Sequence, residues 1–141
     1  MDGLKFLGPF SMNMLATTKT DLAADYYLTN FHFLLNWVEQ RYRDLLSPDE
    51  QQFLGHFKQL KRSSQCLLVR LVSRKGPLFR RDKLQYAEID SIEEAANELM
   101  QVGLLKSECR LDLKSIASLL TKTELITIFE GYLQGIKHLR K

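Results

Sequence analysis

The strongest constraint on the fold is a stripe of apolar residues between about Asp21 and Leu46. These residues recur at spacings of three and four, the spacing of side chains on one face of an α-helix. The stripe consists of Tyr27, Phe31, Leu34, Leu35, Val38, Tyr42 and Leu45. Tyr26, Phe33 and Trp37 widen it sideways, which predicts a long helix that is buried on more than one side.

Start and stop signals predict further helices after this one. The run from Ser47 to Glu50 has a capping serine, a proline at the first helical position and a glutamate that closes a capping box. Ser63 or Ser64 is predicted to begin a third helix that continues through Arg74. Gly76-Pro77 is predicted to end it, because glycine tolerates a left-handed cap and proline cannot continue the helix.

The second half of the chain is predicted to contain shorter elements. Residues 78–86 alternate in character and form a basic extended ribbon in this interpretation. Ser91 with Glu94 predicts a capped helix that ends at Gly103, and residues 104–106 predict a short strand. Helices follow at 113–120 and, from a Thr123 cap, at 123–139. This order fits a mainly α protein, either a helix-turn-helix with a β wing or a plain helical bundle.

Charge is unevenly distributed along the chain. The net charge is only +3, but residues 61–83 contain eight basic residues and one acid, a local charge of +7. Residues 84–98 contain five acids and no base. Such asymmetry fits an anionic partner that docks on one surface, although a solvated basic face with no partner has the same pattern.

The remaining composition excludes several classes of protein. With 45% hydrophobic residues the chain has enough apolar material for a core, and its two cysteines have no metal-like spacing. These features predict a reduced, intracellular protein. The N-terminus lacks the basic start and unbroken apolar run of a signal peptide, and no segment is long and apolar enough to predict a membrane span.

No catalytic or metal-binding residues are predicted. A metal-dependent nuclease requires clustered carboxylates and a lysine, whereas Glu94 and Glu98 lie one helical turn apart without such a partner. The three histidines are scattered along the chain, and neither Cys66 nor Cys109 has a neighbouring histidine in the sequence.

The basic residues form the best candidate site. Arg70 and Arg74 lie four residues apart, opposite the apolar face of the third helix. Lys75 follows them, either beyond the helix end or on a stem that reaches outward. Further basic side chains lie on the ribbon, namely Arg80, Arg81 and Lys83. Because few side chains here can read base edges, we expect phosphate contacts that tolerate any sequence and weaken with salt.

Three segments carry a family resemblance. They are YYLTNF at 26–31, LVRLVSRKGPLFR at 68–80 and KLQYAEI at 83–89. In this order they resemble the N-terminal region of the Fanconi-associated nuclease family, whose members carry a virus-type replication-repair nuclease domain at the C-terminal end. The resemblance extends over about residues 25–130, and the glycine-proline turn is similar to the bacterial branch.

The resemblance implies a winged-helix fold with an adjoining SAP-like helical unit that binds branched DNA. With residues 1–20 as a loose lead-in segment, the predicted domains are a winged-helix-like domain at 21–110 and a truncated SAP-like segment at 111–141. Family members cut flaps and cross-linked DNA near a 5′ end with a divalent metal in the nuclease domain. Tyr27, Arg74 and Lys75 match the family's DNA-contacting positions.

We therefore expect a non-catalytic DNA-binding region of a structure-specific repair nuclease. Its expected partners are branched or flapped DNA and a nuclease domain beyond residue 141 that uses Mg²⁺ or Mn²⁺. Its expected location is the bacterial cytoplasm, with the nucleoid when bound to DNA, and not a membrane.

Two alternatives remain at this stage. One is a stand-alone winged-helix regulator, and the other is a protein-interaction module with a groove formed by Tyr26, Phe33 and Trp37. The role of Tyr27 is also open. Its ring could stack on an exposed base at a branch, or it could pack in the core beside Phe31.

Overall fold

A computed structural model describes residues 22–107 and 110–132 of the chain. These ranges contain α-helices and no β-strand, which confirms a mainly α fold. The helices are α1 (Tyr26–Tyr42), α2 (Pro48–Gln59), α3 (Arg62–Val72), α4 (Ile92–Gln101), α5 (Leu113–Leu119) and α6 (Lys122–Ile128). The first helix is shorter than the predicted 21–46, and α6 ends at Ile128, well before the predicted end at 139. The lead-in at 1–20 and residues 133–139 of the predicted last helix lie outside the described residues.

The predicted β wing is not formed. Residues Arg81–Lys83 form a 3₁₀ turn, in which the N–H of Lys83 donates to the carbonyl of Arg80 and the N–H of Leu84 donates to that of Arg81. Backbone groups used in this way are not free to build a strand ladder. The predicted strand at 104–106 is wrong for a similar reason. The N–H groups of Leu104 and Leu105 both donate to the carbonyl of Leu99 and close the end of α4.

Two of the predicted helix caps are confirmed, whereas the predicted start of the third helix at Ser63 or Ser64 is wrong. That helix begins at Arg62 and ends at Val72, before the predicted end at Arg74. Ser47 and Glu50 form the expected reciprocal capping box, with Pro48 at the first helical position. Ser91 accepts a hydrogen bond from the backbone of Glu94. The predicted Thr123 cap is wrong, because α6 begins two residues earlier, where the side chain of Thr121 caps the helix and Glu124 completes the capping box.

The central element of the fold is α3, which lies between α1 and α4. Every residue of α3 from Ser64 to Val69 is buried, and Leu71 is buried as well. Phe57 from α2, Leu67 from α3 and Leu99 from α4 are fully buried and form the centre of the core. In contrast, α1 buries only Leu35 of its stripe, together with Leu28 beside it.

The prediction that α1 is buried on more than one side is therefore wrong for the described part of the chain. Phe33, Leu34 and Trp37 are exposed, because α1 packs against the rest of the fold along one face only. The sidewise extension of its apolar stripe is a feature of the surface and not of the core.

Polar side chains in the core hold neighbouring helices in register. The Gln65 amide is buried, and its Nε2 donates to the backbone carbonyl of Phe57, 2.8 Å away. His32 Nε2 donates to Gln65 Oε1 at 3.0 Å, so one side chain connects α1, α2 and α3. None of the described helices is long and apolar enough to cross a membrane.

Replacing Phe57 with alanine tests this core. Phe57 has no exposed surface, and its ring packs edge-on against Phe31 with centroids 5.1 Å apart. Phe57→Ala is expected to lower the free energy of unfolding by about 3–5 kcal/mol through lost burial and the cavity left behind. The matched control is Phe33→Ala at a side chain that is 69% exposed, with an expected change within about 0.5 kcal/mol. Urea denaturation measures both, and equal losses would contradict this description of the core.

Candidate nucleic-acid interface

A shallow concavity lies where α3 ends and the following loop returns past it. Its volume is about 460 Å³. The lining contains three basic side chains and no acidic one, together with a serine, a glutamine and a tyrosine: Arg70, Arg74, Lys83, Ser73, Gln85 and Tyr86. We call it the basic concavity. Residues from two separate segments of the sequence meet here because α3 ends at Val72 and the loop then folds back along it.

Arg70 is held at the edge of this concavity by a buried carboxylate. The Glu88 side chain is only 6% exposed, and its Oε1 accepts hydrogen bonds from Arg70 Nε at 2.9 Å and Arg70 Nη2 at 2.7 Å. The same oxygen accepts a hydrogen bond from the Tyr27 hydroxyl at 2.6 Å. The Arg70 guanidinium also lies over two aromatic rings, 4.1 Å from the centroid of Tyr27 and 5.1 Å from that of Tyr86.

The ionisation of this cluster follows from its hydrogen bonds. Burial alone would raise the pKa of the Glu88 carboxyl, but hydrogen bonds from Tyr27, the backbone and Arg70 outweigh it and hold the pKa below its ordinary value. Burial, and then the hydrogen bond to Glu88, raise the pKa of the Tyr27 hydroxyl. Glu88 is therefore charged and Tyr27 neutral at physiological pH, so the ion pair is intact.

Tyr27 packs against the core, and its hydroxyl is occupied by Glu88. One of its ring faces lies beneath the Arg70 guanidinium. These contacts favour the packing interpretation of Tyr27 over free stacking on a base. Tyr86 was not among the predicted site residues, but it lines the concavity and accepts a hydrogen bond from Arg74 Nη1 at 3.3 Å. The available signal was an aromatic residue inside the basic, family-like segment KLQYAEI.

Arg74 and Lys75 lie just beyond the end of α3. Because α3 ends at Val72, the helix has already ended before Lys75, and both side chains are exposed. The Arg74 guanidinium lies 5.9 Å from the ring centroid of Phe79, in addition to its hydrogen bond with Tyr86. Arg74 thus keeps a preferred direction at the edge of the basic concavity while most of its charge faces solvent.

The three basic residues of the predicted ribbon have different environments. Arg80 pairs with Asp82 through two hydrogen bonds and with Glu124 of α6 at 2.6 Å. Arg81 has only a loose ion pair with Glu93, with 3.7 Å between Nη2 and Oε1 and both side chains exposed. Lys83 lines the basic concavity. Arg80 therefore connects the loop to α6, whereas Lys83 adds charge to the concavity.

The acidic residues of α4 have structural roles. Glu98 accepts hydrogen bonds from the backbone N–H of Lys61 and from the Ser64 hydroxyl, which places it over the first turn of α3. Its negative charge lies at the N-terminal end of α3, where it interacts favourably with the helix dipole. Among the described residues, no group of three or more histidine, cysteine or acidic side chains is arranged to hold a metal ion.

Residues 25–106 match the family model described as "FAN1, HTH domain". The chain is 44% identical over 116 residues to a Fanconi-associated nuclease 1 homolog of Pseudomonas aeruginosa, a match that covers 82% of this chain and 21% of that protein. It is 37% identical to the homolog of Arabidopsis thaliana, over 70% of this chain and 12% of that protein. The chain thus spans only about a fifth or less of the length of these relatives.

Two solved structures resemble the fold. One is a crystal structure of paFAN1 bound to 5′ flap DNA with a 2-nucleotide flap and a gap, with a TM-score of 0.76 and 42% identity. The other holds 5′ flap DNA with a 1-nucleotide flap and a gap, with a TM-score of 0.71 and 40% identity. Each match covers 84% of this chain and 21% of the solved one. Together with the family match, they favour the helix-turn-helix interpretation over a plain helical bundle.

The ion pair between Arg80 and Glu124 is testable by titration. The hydrogen bond from Arg80, followed by the one from the Thr121 backbone, lowers the pKa of the Glu124 carboxyl to about 2. A lowered folded-state pKa means that the pair stabilises the fold above the ordinary pKa of glutamate, and that this contribution is lost as the pH falls toward 2. Arg80→Gln is expected to raise the pKa of Glu124, and the neighbouring Arg81→Gln is expected to leave it in place. Carboxyl-carbon NMR titration measures both, and an unchanged midpoint in Arg80→Gln would disprove the pair.

Proposed function

The chain belongs to the FAN1 HTH-domain family, and from this premise we propose that it is the DNA-docking region of a structure-specific nuclease that recognises 5′-flapped or otherwise branched DNA. The observation that carries the proposal is the basic concavity, with three basic side chains and no acid in its lining. It lies within the residues that match the family, and the solved relative of this fold is bound to 5′ flap DNA.

The chemistry of the concavity supports recognition of backbone shape. Arginine and lysine bind phosphate oxygens, and such contacts position a protein on DNA without reading its sequence. Gln85 is the one carboxamide in the lining, so few side chains here can form hydrogen bonds with base edges. A concave basic surface favours a backbone that bends into it, and DNA backbones bend sharply at a flap or a gap. We therefore assign DNA contacts to Arg70, Arg74, Lys75 and Lys83.

Direct contact with DNA is less well supported for Arg80, Arg81 and Tyr27. Two carboxylates neutralise Arg80, and Tyr27 is engaged with Glu88 and Arg70. Arg81 is exposed and only loosely paired, so it remains a phosphate contact in the proposal. Tyr27 and Arg80 contribute by holding the basic side chains and the α6 segment in position.

In this proposal, a nuclease domain of the same polypeptide outside residues 1–141 hydrolyses the DNA, with Mg²⁺ or Mn²⁺ as its metal. The carboxylates that pair with the candidate arginines support this division, because Glu88 and Glu124 are already engaged by Arg70 and Arg80. Residues 111–141 correspond to the SAP-like unit. The biological setting is repair of interstrand cross-links on the DNA of a bacterial cytoplasm.

A second surface favours an additional contact with protein. Phe33, Leu34 and Trp37 are exposed on α1, and the Trp37 ring packs edge-on against Tyr42 with centroids 5.3 Å apart. Exposed aromatic residues in such a row are typical of surfaces that bind protein. This face accommodates a protein-interaction role in the same molecule, whereas nothing in the described structure favours a sequence-specific regulator.

The proposal predicts a preference for branched over intact DNA. The chain is expected to bind a duplex with a 5′ flap more tightly than an intact duplex of equal length, whatever the sequence. Fluorescence anisotropy at fixed salt measures both affinities, and two unrelated sequences serve as the control for base reading. Equal affinity for the intact duplex, or a strong preference for one sequence, would overturn the proposed function.

Charge reversal identifies the surface that makes the contact. Arg74→Glu with Lys75→Glu is expected to weaken DNA binding far more than Arg41→Glu with Arg43→Glu. Both pairs are exposed and undergo the same change in charge. The control pair lies away from the basic concavity. Arg41 is about 21 Å along the axis of α1 from Tyr27, the residue of α1 that contacts Arg70, at a rise of about 1.5 Å per residue. The first pair should also flatten the plot of log K against log salt by about one unit per lost contact. Equal losses in the two double variants would show that only general charge matters.

A further inference from the structure

The carboxylate of Glu88 lies behind the basic concavity, although a negative charge in this position does not by itself favour DNA binding. Glu88 is almost fully buried and engages two of the three guanidinium nitrogens of Arg70. The third nitrogen, Nη1, takes no part in these hydrogen bonds, and the Arg70 side chain is still 37% exposed. Arg70 is thus partly neutralised and partly presented to the concavity.

We propose that Glu88 is a specificity-determining residue, which fixes Arg70 in one orientation and withholds its charge from DNA that does not enter the basic concavity. This inference rests on the proposed function and assigns a role in it to a residue that does not itself touch DNA. Glu88 acts through Arg70 and is in this sense a positioning residue.

The geometry explains how a carboxylate improves discrimination. An arginine without an ion-pair partner at the edge of a basic surface contacts any nearby phosphate, so it strengthens binding to intact and branched DNA alike. Arg70 is held instead by Glu88 and lies over the rings of Tyr27 and Tyr86. Its remaining nitrogen serves only a phosphate that enters the concavity. The phosphates of an intact duplex lie on a convex cylinder, whereas the backbone at a flap can turn inward.

Three features of the cluster separate this role from simple stabilisation. The Tyr27 hydroxyl donates to the same oxygen as Arg70, so the carboxylate keeps one hydrogen bond when Arg70 is removed. Arg70, Arg74 and Lys83 line the same concavity, so the charge that Glu88 cancels belongs to the proposed site. Glutamine at position 88 has nearly the same shape and can still accept from Tyr27, but it carries no charge to hold Arg70.

The test compares salt-dependent binding of the full chain and of Glu88→Gln to a 5′-flapped and an intact duplex. In Glu88→Gln, the charge of Arg70 is no longer offset by a carboxylate, and Arg70 is expected to add one phosphate contact to the intact duplex only. The plot of log K against log salt for the intact duplex should then steepen by about 0.9, an extra gain of about 3.5-fold in affinity between 200 and 50 mM salt. The slope for the flapped duplex should stay the same, so the preference for the flap narrows.

Further variants keep the inference falsifiable if Glu88→Gln is unstable. Arg70→Gln should flatten the slope for flapped DNA by about 0.9 and leave that for intact DNA unchanged. In the Arg70→Gln background, Glu88→Gln should have no further effect on either slope, because Glu88 acts through Arg70. The matched control is Glu94→Gln, which removes one exposed carboxylate and should leave both slopes unchanged.

The outcomes separate the inference from the proposed function. If the unaltered chain shows no preference for the flap, the proposed function fails and the inference fails with it. If the preference exists but Glu88→Gln leaves it intact, or weakens both DNAs equally with no change in slope, only the inference is overturned. The inference is also overturned if Glu94→Gln steepens the slope, or if Glu88→Gln does so in the Arg70→Gln background. In either case a general change in charge would be the cause.

Discussion

The burial of α3 is the constraint on which the rest of this structure depends. A helix that is enclosed over most of its surface fixes the positions of α1, α2 and α4, because each must cover part of it. Its polar residues strengthen this arrangement, since Gln65 connects three helices and Ser64 contacts Glu98 of α4. The end of α3 is therefore a rigid support, and the basic side chains of the proposed interface are built on that end.

Residues that look equivalent in the sequence have different electrostatic environments. Glu88 partly neutralises Arg70, whereas Asp82 and Glu124 together neutralise Arg80. Lys83 lines the concavity and forms no ion pair with another described residue. A count of positive charge along residues 61–83 overstates the charge available to DNA, because part of it is used to hold the loop and α6 in place.

The basic and the apolar surfaces of the molecule are separate. The basic concavity lies at the end of α3, and the exposed aromatic residues lie along α1. Each surface therefore has its own chemistry, and the proposed DNA contact at one does not obstruct the other.

The sequence by itself determined the helical content, the capping box at Ser47 and Glu50, and the basic segment around Arg74, because these depend on neighbours within a few residues. The short motifs also carried the family resemblance that the comparisons then showed. Tertiary structure alone decided which helix is central, because the apolar stripes of α1 and α3 look alike until their partners are known. It also decided the loop at 78–86, where the 3₁₀ turn and the contacts of Arg80 replace a strand. Tertiary structure likewise decided the pairing of Arg70 with Glu88, since 18 residues separate them and only the folded chain brings them together.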